Sequence, residues 1–143
     1  MMKSLLFFST LLFAFTTATV NVDTEASQIT WKGYKVTGSH EGTINVENGE
    51  LAFDEGVLTG GSFDINMGSI TVTDLQGGMA QKLEGHLKSP DFFGVEKFPT
   101  ATFNITKVVS RGTAGAYRIT GDLKIKETTK TIRFNANVEE KEG

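Results

Sequence analysis

Two histidines, His40 and His86, are the side chains with which acid–base or metal chemistry would have to begin. Neither stands in a ligand spacing such as His-x-x-x-His, so a zinc-type site gains no support. Glu84 and His86 are two positions apart, which on a helix places them on different faces, so they do not chelate together. His86 reads as a residue at a helix end, bonding a nearby carbonyl or carboxylate. His40, beside Glu41 in a glycine-rich hairpin, is a candidate for a cavity mouth, facing a ligand head group. Catalysis on a lipid-like substrate would need an inward-facing pair such as His40 with Asp64 or Glu47, and strand alternation gives no reason to expect one. The chain has 0 Cys, which removes thiol nucleophiles and Cys-based metal sites. Its glycines never fall into a G-x-G-x-x-G or G-x-x-x-x-G-K-[ST] pattern, so no phosphate-cradling loop is expected. Lys and Arg number 14 against 17 Asp and Glu, and a chain without basic excess is a poor partner for nucleic acid. No catalytic residue, metal or cofactor is expected.

The elements that would position any site are strands. Apolar residues alternate with polar ones at Leu51 and Phe53, at Phe63, Ile65 and Met67, and at Ala101, Phe103 and Ile105. The same period of two continues through Tyr117, Ile119, Leu123 and Ile125, then through Ile132, Phe134, Ala136 and Val138 after a polar turn at Glu127 to Lys130. Half-buried strands have this pattern. Asn48-Gly49, Glu55-Gly56, Gly60-Gly61 and Arg111-Gly112 punctuate the runs, which predicts a meander of antiparallel hairpins. The glycines crowded between Gly33 and Gly61 predict bulges and bends, and bent strands let a sheet curl on itself. A barrel is therefore favoured over a flat sandwich.

One segment departs from this rhythm. Leu75, Met79, Leu83 and Leu87 recur every four positions, which predicts a short amphipathic helix with Asp74 as N-cap and Ser89-Pro90 as its stop. Phe92, Phe93 and Phe98 follow between Pro90 and Pro99, predicting an ordered, irregular connector.

At the N-terminus, Lys3, an apolar core from Leu5 to Phe15 and small residues up to Ala18 have the layout of a secretory signal peptide. The core is too short for a permanent membrane span. Residues 1–18 are thus expected to be removed, leaving one domain, residues 19–143, outside the cytoplasm. Without Lys3 the net charge goes from -3 to -4.

The stretch HLKSPDFFGVEKFPTATF, from His86 to Phe103, resembles the connector that marks the YceI-like family. WKGYKVTGSHEGTI (Trp31–Ile44), GGSFDINMGSI (Gly60–Ile70) and GDLKIKETTKTIRF (Gly121–Phe134) match in the family's order, so the resemblance covers essentially the whole mature chain. It implies an all-β, lipocalin-like, extended antiparallel barrel of about eight strands with one short inserted helix. It further implies export to the periplasm or secretion, and an apolar interior holding a long isoprenoid, an isoprenoid quinone or a similar amphiphile. Alternation carried into such a barrel turns Trp31, Ile44, Val46, Phe53, Phe63 and Ile65 inward, and with them Phe103, Tyr117, Ile119, Leu123, Ile132 and Phe134. Leu83, Leu87, Phe92 and Phe93 would form a lid. Two readings stay beside the binding one: an exported barrel with a packed interior that binds a protein partner on its outer face, and a barrel enzyme acting on a lipid. Family members continue past the point where this sequence stops, so the barrel is expected to be incompletely closed at its C-terminal side. Gly94 stands where an Asp is common.

Overall fold

A computed structural model describes residues 16–141. Seven antiparallel strands form one sheet: β1 (Thr17–Asn21), β2 (Ile29–Lys35), β3 (Gly38–Asp54), β4 (Val57–Val72), β5 (Thr100–Ser110), β6 (Ala116–Ile125) and β7 (Thr128–Asn137). One helix, α1 (Gly77–Lys88), lies between β4 and β5. From β3 onward each strand pairs with the next, while β1 and β2 divide β3 between them, β2 on its first half and β1 on its second. Among the described residues β7 pairs with β6 alone, so the sheet is not closed. The expected signal segment falls mostly on residues 1–15, outside the described residues, and its last residues, Thr17 and Ala18 of β1, pair with Asp54 and Phe53 of β3. No helix among the described residues is long and apolar enough to cross a membrane.

The expected turns at Glu55-Gly56 and Arg111-Gly112 join β3 to β4 and β5 to β6. Glu55 and Gly56 both have positive φ, 47° and 79°, which matches the twist of a two-residue hairpin turn. The last hairpin turns at Lys126 and Glu127 and β7 already runs from Thr128, earlier than the polar stretch to Lys130 predicted. Asn48-Gly49 and Gly60-Gly61 are not turns. They sit inside β3 and β4, where the register shifts between Val46 and Asn48 and where Gly61 faces Leu51. Close packing explains the residue type. A Cβ on Gly49 would lie 2.8 Å from Cδ1 of Phe63, and one on Gly61 2.5 Å from the carbonyl oxygen of Glu50.

The helix begins later than predicted, and one residue of its expected stripe misses the sheet. Its N-cap is Gln76 with no side-chain cap, and Ser89 ends it as expected. Ala80, Leu83 and Leu87 pack on the sheet, whereas Met79 is 66% exposed. The Glu84 carboxylate accepts the backbone N–H of Val72 at 2.9 Å, which helps hold the 80-83-84-87 face toward the end of β4.

Two apolar clusters fill the inner face of the sheet. Beneath the helix are Ile44, Met67, Ile70, Val72, Leu87 and Ala101, with Trp31, Ile65 and Phe93 against them. Toward the other end are Leu58, Phe103, Tyr117 and Ile119, with Phe53, Phe63 and Leu123 against them. Leu58 on β4 and Tyr117 on β6 belong to strands that are not neighbours, yet the Leu58 N–H donates to the Tyr117 hydroxyl at 3.2 Å. A flat sheet could not bring them together, so the sheet curls and this face is concave.

Candidate functional site

The side chains expected to line an interior divide between the two clusters. Trp31, Ile44 and Ile65 lie under the helix, and Phe53, Phe63, Phe103, Tyr117, Ile119 and Leu123 lie in the open half. Val46 is buried at 7% exposure. Ile132 and Phe134, expected to point away from solvent, are 37% and 41% exposed. They share the inner face with Gly121 and Ile119 by register, but β7 is the rim of the sheet and no described strand covers its far side.

Aromatic rings run across the open half in a row. Phe63 stacks on Phe103 with centroids 6.4 Å apart, and Phe103 meets Phe134 at 5.6 Å. Glycines make room for them. A Cβ on Gly121 would lie 2.4 Å from Cζ of Phe103 and 2.6 Å from the carbonyl oxygen of Asn104, so Phe103 lies on bare backbone. Apart from the Tyr117 hydroxyl, which accepts the Leu58 N–H, no polar or charged side chain is buried among the described residues. Such a surface can hold a hydrocarbon or fill itself. It holds no arrangement that indicates catalysis.

Under the helix the floor is fastened by polar bonds at its edge. Trp31 Nε1 donates to the Thr71 carbonyl at 3.1 Å. His40 lies on the face of β3 that carries Ile44, opposite Gly33 by register, and its ring is engaged at the edge. Its Nδ1 lies 2.8 Å from Asp74 Oδ2, both side chains about 25% exposed, and the Glu41 N–H donates to Asp74 Oδ1 at 3.1 Å. Asp74, expected to cap the helix, instead ties the segment before it to β3. The Glu41 amide first, and then the His40 bond, hold its carboxyl below the ordinary carboxylate range. His40 thus pairs with neither Asp64 nor Glu47, the partners a catalytic reading would have required.

Of the expected lid, Leu87 is buried and Leu83 and Phe93 are partly buried over the first cluster, while Phe92 turns outward at 45% exposure. Phe92 meets Phe93 edge-on at 4.7 Å and His86 at 5.9 Å. The His86 ring packs on Phe92 and has no hydrogen bond to a carbonyl or carboxylate among the described residues. Its carbonyl accepts the Ser89 N–H and hydroxyl at 3.2 and 2.7 Å. Among the described residues no group of three or more His, Asp or Glu could hold a metal ion.

A cavity of about 770 Å³ lies outside the curled face, between the end of α1, the connector and the β6–β7 turn. Lys88, Lys97 and Lys126 surround it, with Pro90, Val95 and Phe98 as apolar wall. Periodicity could not find it, because its residues come from three segments that alternate in no common pattern.

A curled antiparallel sheet with an apolar inner face and a helix over one end defines a lipocalin-like β-barrel, open here along one side. The model of the YceI-like domain matches residues 20–143, and the chain belongs to that family. Relatives are the UPF0312 protein of Vibrio campbellii, 33% identical over 96 residues, or 67% of this chain and 48% of that protein, and the UPF0312 protein of Shewanella denitrificans, 31% identical over the same share of each. The UPF0312 protein plu2095 of Photorhabdus laumondii is 32% identical over 97 residues, 68% of this chain and 47% of its own length. The chain thus spans about half the length of the curated relatives it matches. A crystal structure of a mutant CJ YCEI protein with a monobromobimane guest is 16% identical, with a TM-score of 0.49 over 98% of this chain and 61% of that one.

Proposed function

We propose that the chain is a non-enzymatic binder of a long amphiphilic lipid, such as a polyisoprenoid or isoprenoid quinone, acting as carrier or store in the periplasm or after secretion. The observation that carries this reading is the apolar inner face itself, in which the row Phe63, Phe103 and Phe134 continues from a packed cluster to partly exposed aromatic surface. Family membership and the signal-like N-terminal sequence support it.

Energetics favour exchange over scavenging. Each isoprene unit of five carbons gains up to about 4 kcal/mol on leaving water, at about 0.8 kcal/mol per buried CH₂. A bilayer offers the same gain, so moving the chain from membrane to protein is nearly neutral, and shape and head group must supply selectivity.

Native mass spectrometry with lipid extraction, on protein secreted by its own host, tests the proposal. A bound isoprenoid in the wild type and markedly less in Phe134→Asp, with unchanged thermal unfolding, is the expected result. Protein repeatedly recovered empty overturns the reading. N-terminal sequencing of the same material checks for removal of residues 1–18.

A further inference from the structure

We propose that the notch between the end of α1, the connector and the β6–β7 turn is a second ligand site, taking a phosphate group carried on an apolar body. It is a half-open notch of about 770 Å³, room for a head group and the first part of a chain.

The electrostatics point to an anion. Lys97 and Lys126 both hold their ammonium groups over the Phe98 ring, 5.2 and 5.7 Å from its centroid. Lys88 lines the same notch. The ion pairs among the described residues are Lys32–Glu41 and His40–Asp74, so none of these three lysines has a carboxylate at ion-pair distance, although Glu96 and Glu127 stand on the same rim. Lys126 uses one donor on the Phe92 carbonyl, at 3.0 Å, and keeps two. A helix C-terminus would ordinarily repel an anion. Here its last carbonyls are covered: those of His86, Leu87 and Lys88 accept N–H groups from Ser89, Phe93 and Val95 at 3.2, 3.0 and 3.1 Å.

The wall chooses among anions. Free phosphate is best held by dense N–H groups, whereas this notch joins ammonium groups to the apolar surface of Pro90, Val95 and Phe98. A phosphate monoester head with the first part of a lipid chain satisfies both. Gly94 lines the notch beside Lys126. It has φ +55°, and a Cβ there would lie 3.8 Å from Lys126 Cε and 3.6 Å from Phe98 Cδ2.

Amide NMR on the whole chain, titrated with monomeric dihexanoyl phosphatidic acid, tests the site. Dihexanoyl phosphatidylcholine and inorganic phosphate serve as the comparison arms. Saturable shifts are expected at Gly94, Lys97, Phe98 and Lys126 with the phosphatidic acid, and weaker ones in both other arms. The Lys97→Gln/Lys126→Gln variant should lose about tenfold in affinity. Because Lys126 also holds the connector, Gly94→Asp and Gly94→Asn provide the independent pair. Asp and Asn both tolerate left-handed backbone, but only Asp places a carboxylate beside Lys126, so only Gly94→Asp should weaken binding. Equal affinity for phosphatidylcholine, inorganic phosphate binding as tightly as the lipid, or equal behaviour of the two Gly94 variants overturns the proposal. Shifts at Phe103 and Ile119 report filling of the curled face instead, so either site can fail without the other.

Discussion

Gly121 is the place where one methyl group should disturb the aromatic row most. In Gly121→Ala the new Cβ would sit 2.4 Å from Cζ and 2.5 Å from Cε2 of Phe103, and 2.6 Å from the Asn104 carbonyl oxygen. Carbon atoms pack at about 3.5–4.0 Å, so the ring must retreat by roughly 1 Å, and Phe63 and Phe134 flank it. Overpacking of this kind costs about 1–3 kcal/mol. Replacing Gly by Ala restricts the unfolded chain and returns about 0.4–1 kcal/mol, and the midpoints of the two ranges leave a net loss of about 1.3 kcal/mol. Urea unfolding followed by the fluorescence of the single Trp measures it as a lower midpoint at unchanged slope. The cause is separable with Phe103→Leu: if the ring is the obstacle, Gly121→Ala costs less in the Leu background than in the wild type. Part of the cost persists there, because the Asn104 oxygen remains. A neutral or stabilising Gly121→Ala, or a strictly additive pair, would refute the seating of Phe103 on Gly121.

Two other changes test the bonds that shape the sheet. Tyr117→Phe leaves the Leu58 N–H without its buried acceptor and should cost about 1–3 kcal/mol, read from the same urea midpoints. A larger loss than in Tyr34→Phe is required, since Tyr34 is 80% exposed. Asp74 has a carboxyl held below its ordinary range, by the Glu41 amide first and His40 second. Folding therefore favours its ionised form, and this contribution is complete above the unfolded value of about 4 and is lost as pH falls through the lower folded one. Urea midpoints taken downward from neutral pH should fall more steeply below about pH 4 in the wild type than in Asp74→Asn; parallel curves would remove Asp74 from the account.

Much of the fold is legible in the residues. The runs at Phe63 to Met67, Ala101 to Ile105 and Tyr117 to Ile125 are strands because alternation reports a sheet with one buried face, and β4, β5 and β6 contain them. The glycine pairs mislead for a physical reason. Asn-Gly is a turn signal when the backbone needs positive φ, but Gly49 and Gly61 are required by side chains and backbone pressing across from the next strand, a demand that no local pattern carries. The helix stripe misses at one position: Leu75, Leu83 and Leu87 pack as the spacing predicts, whereas Ala80 takes the place of Met79, on the face that the Val72–Glu84 bond holds to the sheet. Phe134 fits the inward pattern and stays exposed, because alternation gives a face and says nothing of whether another element covers it. The lysine notch draws most of its residues from the connector, Lys88 to Phe98, but Lys126 and Glu127 come from a distant turn, and no local pattern brings the two together.

The helix and connector are better described as a wall than as a gate. Opening them would break the Val72–Glu84 bond, the Glu41–Asp74 bond, the Thr73–Glu41 backbone bond at 2.9 Å and the Met67–Pro99 backbone bond at 2.9 Å. At a net 0.5–1.5 kcal/mol each, these contribute about 2–6 kcal/mol. Leu87, 7% exposed, adds about 1.5–3 kcal/mol if it must leave the first cluster. The sum approaches the whole stability of a small domain, about 5–15 kcal/mol, so a route that lifts the helix is close in cost to unfolding the sheet beneath it. Hydrogen exchange distinguishes the two descriptions. Amides in the last two turns of α1 should exchange with the slow set that includes β4, near the global limit. Exchange of those amides much faster than at Ile70 and Val72 would mean that the helix lifts independently, and would restore the gate.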